Sequence, residues 1–378
     1  MTADLHQALV TSGAVRHCAG LLGPGERERA GTMRDRAAAD RFVVARGLLR
    51  SVLAVRLGVP PPDVPLVARC PGCGAADHGP VRLAGAGGPR WSLSVAHTGV
   101  LVAVAVGERT GPLGVDVETA RRAARVEELA PRLFGPGQHP LLARLPVPVR
   151  RAAVLAAWTA AESYAKATGT ALGPALARMG ARCDALGRVT VAGPGDLAGW
   201  WVRGVPARAP HCVAAVTTWR RTAVQVHRRT ELATAAGPQP QRRPDRATTD
   251  EPPGDEPPAR PRARAGTTTP ACTGAPTRGE VMERTEDGAV ARSAALEHLV
   301  RARLAERIGP GTAHGIGREE PFADLGVDSL DIVAVLAALE RECGVERIAD
   351  GELWDLADSV GALVRHLSAH GRPRGGTR

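Results

Sequence analysis

With 378 residues, 44% of them hydrophobic, the chain is long enough for two or three units with real cores, although only 3% of residues are aromatic. The formal net charge of +10 comes from 49 basic side chains, of which one alone, Lys166, is lysine. The arginines are not interleaved with aromatics and match no nucleic-acid-binding motif, which argues against DNA or RNA as partners. Seven cysteines, an odd number without framework spacing, fit a reducing cytoplasm. The N-terminus has no basic stretch followed by an apolar one, and no apolar run approaches eighteen residues, so no membrane segment is expected.

In chain order, Asp35 to Leu57 reads as an amphipathic helix. Phe42, Val43, Leu49, Leu53 and Leu57 form its core stripe, Arg41, Arg46 and Arg50 form another face, and Gly58 with Pro60 to Pro62 stops it. Cys70, Cys73 and His78 in CPGCGAADHG give half of a tetrahedral zinc site with no second pair to complete it. Trp91 to Val106 reads as a β-hairpin turning at His97-Thr98-Gly99, and Leu113 to Val117 as a further strand. Period-two alternation puts Asp116 and Glu118 of GVDVE on one face of that strand.

Residues 119 to 157 are helical at both ends, with proline-rich breaks at 131–136 and 146–148. Trp158 to Gly169, WTAAESYAKATG, continues as a helix on which Glu162 and Lys166 share a face beside an apolar side. Asp116, Glu118 and Glu162 together offer a hard oxygen cage suited to Mg²⁺, completed by a polyanionic ligand. Short strands follow at 189–191, 199–205 and 211–218, and His211 before the last of them echoes His97. From about residue 222 to 288, Pro, Thr, Arg and Gly dominate without large apolar residues, the composition of a disordered linker. The stretch 289–371 is helical in period and carries 12 acids against three arginines between Gly315 and Val360. Residues 372–378 read as a disordered tail.

Together, GVDVE and WTAAESYAKATG resemble the 4′-phosphopantetheinyl transferases of the large, pseudo-dimeric type, over about Asp40 to Trp219. The resemblance implies an α+β domain over residues 1–221, two half-repeats of antiparallel sheet plus helices, with coenzyme A bound between them. It further implies Mg²⁺ on Asp116, Glu118 and Glu162, Glu162 as general base, and Lys166 at the leaving group. Arg46, Arg50, Arg90 and His97 are the implied holders of coenzyme A phosphates, together with Lys166. The chain departs from the family pattern at Pro80, Ala96, Gln138 and Ala161; many members have lysine before the glutamate.

Separately, FADLGVDSLDIVAVLAALE resembles an acyl or peptidyl carrier protein, an all-α four-helix bundle. That resemblance makes Ser329 the attachment point of 4′-phosphopantetheine and Leu330, Val333 and Leu336 the helix that partners recognise. The implied partners are coenzyme A, the chain's own and other carrier domains, and polyketide, nonribosomal peptide or fatty-acid synthase enzymes. A non-catalytic, transferase-like scaffold is the alternative. A flexible linker of roughly 65 residues spans about 45 Å root-mean-square, enough for Ser329 to reach a cleft in the same chain.

Overall fold

The computed structural model describes residues 2–68, 79–85, 87–170, 175–176, 179–192, 199–220, 222–229, 278–325, 327, 329–344 and 359–370. Cys70, Cys73, His78 and the tail 372–378 lie outside them. Two compact units are present, Met1–Thr234 with Arg292–Arg378, and Ala235–Ala291. The first unit holds the sheets.

The chain opens with strand β1 (Thr2–Leu9) and helices α1 (Ser12–Ala19), α2 (Pro24–Thr32) and α3 (Arg36–Leu57). Asp35 caps α3 by accepting from the Ala37 and Ala38 amides, and Gly58 ends it at φ 67°. A small hairpin follows, β2 (Leu66–Ala68) with β3 (Val81–Leu83), then β4 (Trp91–Thr98) and β5 (Leu101–Glu108). The same order then recurs: β6 (Leu113–Thr119), helices α4 (Ala123–Val126), α5 (Ala130–Leu133), α6 (His139–Arg144) and α7 (Val147–Thr168). The hairpin of β7 (Gly180–Cys183) and β8 (Val189–Ala192) and strands β9 (Trp200–Val205) and β10 (Cys212–Trp219) complete this second pass.

The sheets record the repeat. One is ordered β11-β1-β5-β4 and the other β6-β10-β9, so β1-β5-β4 and β6-β10-β9 are equivalent, and β11 (Ala223–Arg228) adds in parallel beside β1. The sheets face each other across Leu5, Leu101, Ala103, Val115, Val117 and Val216. On its outer side the first sheet carries α3, through Val44, Leu48, Val102 and Val104; α7 covers the second through Trp158, Ala161 and Ala215. The half-repeats expected from the resemblance are therefore present as helix, sheet, sheet, helix. His211 is not the counterpart of His97: it precedes β10, the equivalent of β5, whereas His97 lies near the end of β4.

Strand β11 falls within the stretch read as linker from 222, because AVQVHR alternates well enough to pair, and helix α8 (Arg278–Ile308) runs across the expected boundary at 288. The remainder of that stretch lies outside the described residues. Helices α9 (Pro310–Gly315), α10 (Ser329–Cys343) and α11 (Val360–His370) follow α8. Their core includes Leu304, Phe322, Val335, Leu336, Leu339 and Leu363. Leu336, expected on a recognition face, is thus an interior residue.

Gly114 fixes how close α7 lies to its sheet. A Cβ there would stand 2.0 Å from the Ser163 carbonyl oxygen and 2.6 Å from the Ala167 amide nitrogen. Both are backbone atoms, so no rotamer change can relieve the clash. We expect Gly114→Ala to cost about 1–3 kcal/mol of stability and lower the Tm by several degrees in a thermal melt. A melt superimposable on the wild type would show that α7 is not held this closely.

Candidate active site

The close approach at Gly114 brings the last turns of α7 over β6. Asp116 and Glu118 leave the same face of the strand and are both buried, and Glu162 on α7 is only 1% exposed. Glu162, expected beside the apolar side of the helix and not within it, is thus fully buried. The Lys166 side chain is partly exposed, and its Nζ donates to Asp116 Oδ1 at 2.7 Å. Burial alone would lower the ammonium's pKa; the carboxylates of Asp116, Glu162 and Glu118 outweigh it and hold the group above the ordinary lysine value.

Thr98, passed over in the sequence, is buried and donates from Oγ1 to Glu118 Oε2 at 3.2 Å. It could have been found from its place as the last residue of β4, next to His97. Ser94 Oγ accepts the Val115 amide, tying β4 to β6 one strand-step away. The far end of β6 is fixed by the Ala120 amide, which donates to the His211 carbonyl at 2.6 Å, with His211 itself at φ 59°. The carboxylate cluster is thus held from α7, β4 and the β9–β10 connection together.

Among the described residues, no three His, Cys, Asp or Glu side chains stand as a ready metal-binding group. The three-carboxylate cage expected from the sequence is therefore not preformed, and Lys166 occupies Asp116 Oδ1 instead. The donor chemistry still fits a hard divalent cation, because every candidate ligand is a carboxylate oxygen.

The expected phosphate contacts divide. His97 is exposed on β4, just before the turn at Gly99. Arg50 is buried: its Nη1 donates to the carbonyls of Pro61, Pro62 and Val64 and its Nε to Glu26. It holds the start of α2 and the turn after α3, a structural role that replaces the expected phosphate contact. Arg46 is largely buried over the Phe42 ring at 5.3 Å, with its pKa brought down to about 10 by burial. Phe42, expected in the core, is instead a platform shared by Arg29 and Arg46. Arg90 precedes β4, so seven residues at about 3.3 Å each place it roughly 23 Å from His97, too far to share one phosphate. It pairs with Glu108 at 3.3 Å. Ala96 and Ala161 are core residues, and Gln138 accepts the Cys183 amide through Oε1.

The first repeat carries a reduced version of the same arrangement. α3 and α7 are each 22 residues long. Asp4 of β1 bonds Arg56 in the last turn of α3, as Asp116 of β6 bonds Lys166 in the last turn of α7. Where α7 has Glu162, the sixteenth residue of the helix, α3 has Ser51, whose Oγ donates to Leu48. Where β6 has Glu118, β1 has His6, buried and stacked on His227 at 4.5 Å. An aspartate–cation pin is common to both halves, whereas the second and third carboxylates occur in one.

Comparison with known proteins follows this division. Residues 112–215 match the 4′-phosphopantetheinyl transferase superfamily, and residues 298–367 match the phosphopantetheine attachment site family. One chain thus carries both a segment that matches the transferase superfamily and a segment that matches the attachment-site family. The first match contains Asp116, Glu118, Glu162 and Lys166 and coincides with the second repeat; the other contains Ser329. The 4′-phosphopantetheinyl transferase HetI of Nostoc sp. (strain PCC 7120) is 34% identical over 129 residues. Those residues are 34% of this chain and 52% of HetI, so the chain spans about half the length of that relative.

The two pins separate structure from chemistry. Lys166 contributes stability that is complete below its ordinary value of 10.5 and is lost as pH rises through the higher folded value. In Lys166→Met three buried carboxylates lose their common cation, so the wild-type Tm advantage over this variant should be full at about pH 7 and shrink as pH rises past 10.5. Arg56→Met should destabilise without leaving three carboxylates facing one another, and its deficit at about pH 7 should be smaller. Parallel Tm–pH profiles for the two variants would show that the Lys166 cluster carries no extra charge coupling.

Proposed function

We propose that the chain transfers the 4′-phosphopantetheine group of coenzyme A to a carrier serine, its own Ser329 first, and releases adenosine 3′,5′-bisphosphate. The observation that carries this reading is the single ammonium of Lys166 among Asp116, Glu118 and Glu162, in a chain that also has Ser329 opening a helix. The match to the transferase superfamily and the similarity to the 4′-phosphopantetheinyl transferase HetI support it.

Asp116, Glu118 and Glu162 would hold Mg²⁺, which when bound offsets the pyrophosphate charge of coenzyme A. The serine hydroxyl attacks the phosphorus that bears the pantetheine arm, and the bond to the bridging oxygen of the bisphosphate breaks. Glu162, buried in an apolar wall, takes the proton of the hydroxyl, directly or through one water. Lys166 supplies positive charge to the departing oxygen, which its single flexible ammonium can follow. His97, exposed on β4, contacts the nucleotide phosphates. The holo carrier then bears acyl or aminoacyl thioesters for polyketide, peptide or fatty-acid-like synthases in the cytoplasm. Among the described residues, no helix is long and apolar enough to cross a membrane.

The structural use of Arg46 and Arg50 favours a second reading, in which the transferase-like segment only presents a carrier that another enzyme loads. Intact-protein mass after incubation with coenzyme A and Mg²⁺ decides between them. We expect one adduct, mapping to the peptide with Asp328-Ser329-Leu330 and absent from Ser329→Ala. Asp116→Ala and Glu162→Ala should each slow its formation by at least about 10²-fold, or about 2.7 kcal/mol of barrier. Failure of the wild-type chain to gain mass would establish the scaffold instead.

The order of the reaction tests the acceptor. If Ser329 reacts in its own chain, the half-time should not change as the protein is diluted. A half-time that lengthens in proportion to dilution would assign the reaction to pairs of chains.

A further inference from the structure

The segments on either side of Ser329 touch both repeats of the transferase segment. Before it, Glu320 accepts from Arg34 Nη1 at 2.9 and 2.7 Å through its two oxygens, and Asp324 accepts from Arg29 Nη2 at 3.3 Å. The Asp35 amide, at the cap of α3, donates to the Asp324 carbonyl at 3.4 Å. After it, Glu340 on α10 accepts from Arg132 of α5 at 2.5 Å. Val333, one turn beyond Ser329, is 5% exposed and belongs to the apolar cluster of Leu129, Leu133 and α7 rather than to the carrier's own core. Arg307 of α8 pairs with Glu128 at 3.2 Å in the reverse polarity.

Three of these four ion pairs set an arginine of the transferase segment against a carboxylate of the carrier segment. This is the complementarity that any acidic carrier helix would need. We propose that the face of Arg29, Arg34, Arg132 and the Leu129–Leu133 rim is the carrier-recognition surface, and that the chain's own carrier occupies it. A carrier protein in trans must displace this occupant before it can be loaded. The inference rests on the transferase reading for its kinetic consequence, whereas the occupied face stands on the contacts alone.

The test uses the full chain with Ser329→Ala, which cannot load itself, and an apo acyl carrier protein of a bacterial fatty-acid synthase as the acceptor in trans. Asp324→Arg with Glu340→Arg reverses charge on the carrier side and leaves the transferase face intact. These changes should speed loading of the added carrier by at least about tenfold. They should also raise hydrogen exchange at residues 29–36 and 128–134. The milder pair Asp324→Asn with Glu340→Gln should move both readouts in the same direction and guards against misfolding of the reversed variant. Equal trans rates and unchanged exchange in all three proteins would overturn the proposal while leaving the transferase reading in place. Faster exchange without loading by any variant would overturn the transferase reading and uphold the occupied face.

Discussion

One ammonium shared by three buried carboxylates is the interaction on which the second repeat depends. Unpaired, such carboxylates would repel one another in a medium of low dielectric, and burial of each would be costly. Lys166 satisfies Asp116 directly, and its charge lowers the electrostatic energy of the Glu118 and Glu162 carboxylates. For that to happen α7 must lie almost on β6, which is why the residue facing the helix backbone is Gly114. Chemistry and packing therefore meet in the short motif GVDVE. Its glycine sets the distance, its valines fill the layer between the sheets, and its acids face the lysine.

The repeat shows which part of this arrangement is architectural. Both halves pin a 22-residue helix to its first strand through an aspartate and a cation, so a pin of this kind is part of how the layer is built. Ser51 and His6 in the first half stand where the second has Glu162 and Glu118. His6 is buried with its pKa brought down to about 3, chiefly by burial, and so remains neutral where a carboxylate would be charged. The carboxylate cluster is thus built into one half of a symmetric frame, and the proposed transfer would draw on that half. The matched transferase segment, residues 112–215, is that half.

Much of this was legible in the sequence because the signals are local. Asp35 and Gly58 bracket α3 by cap chemistry, and alternation fixes the shared face of Asp116 and Glu118. What could not be read depends on distant pairing. β1 and β11 adjoin only in three dimensions, and AVQVHR is too short to declare itself next to a proline-rich stretch. The arginines misled for a related reason. Arg50 and Arg46 lie on the polar face that a helical wheel gives them, but Glu26 and the carbonyls of Pro61, Pro62 and Val64 come from other segments. Arg90 was near His97 in number only, and the length of β4 separates them.

The division of labour between lysine and arginine follows from geometry. Arginine's planar fork suits carboxylates held at a surface: Arg301 donates from Nε and Nη2 to Glu297 Oε1 and from Nη1 to two carbonyls. Such pairs at a partly exposed interface contribute about 0.2–1 kcal/mol each, so the four between the transferase and carrier segments amount to about 1–4 kcal/mol. That corresponds to a bias of roughly fivefold to a thousandfold toward the contact between the two segments. The site asks for something different. A fork at position 166 would be committed to one carboxylate in one plane, whereas an ammonium is a compact charge with three rotatable donors that answers Asp116, Glu118 and Glu162 together. In a chain whose other cationic side chains are arginine, the one lysine stands where a point charge, and not a fork, is required.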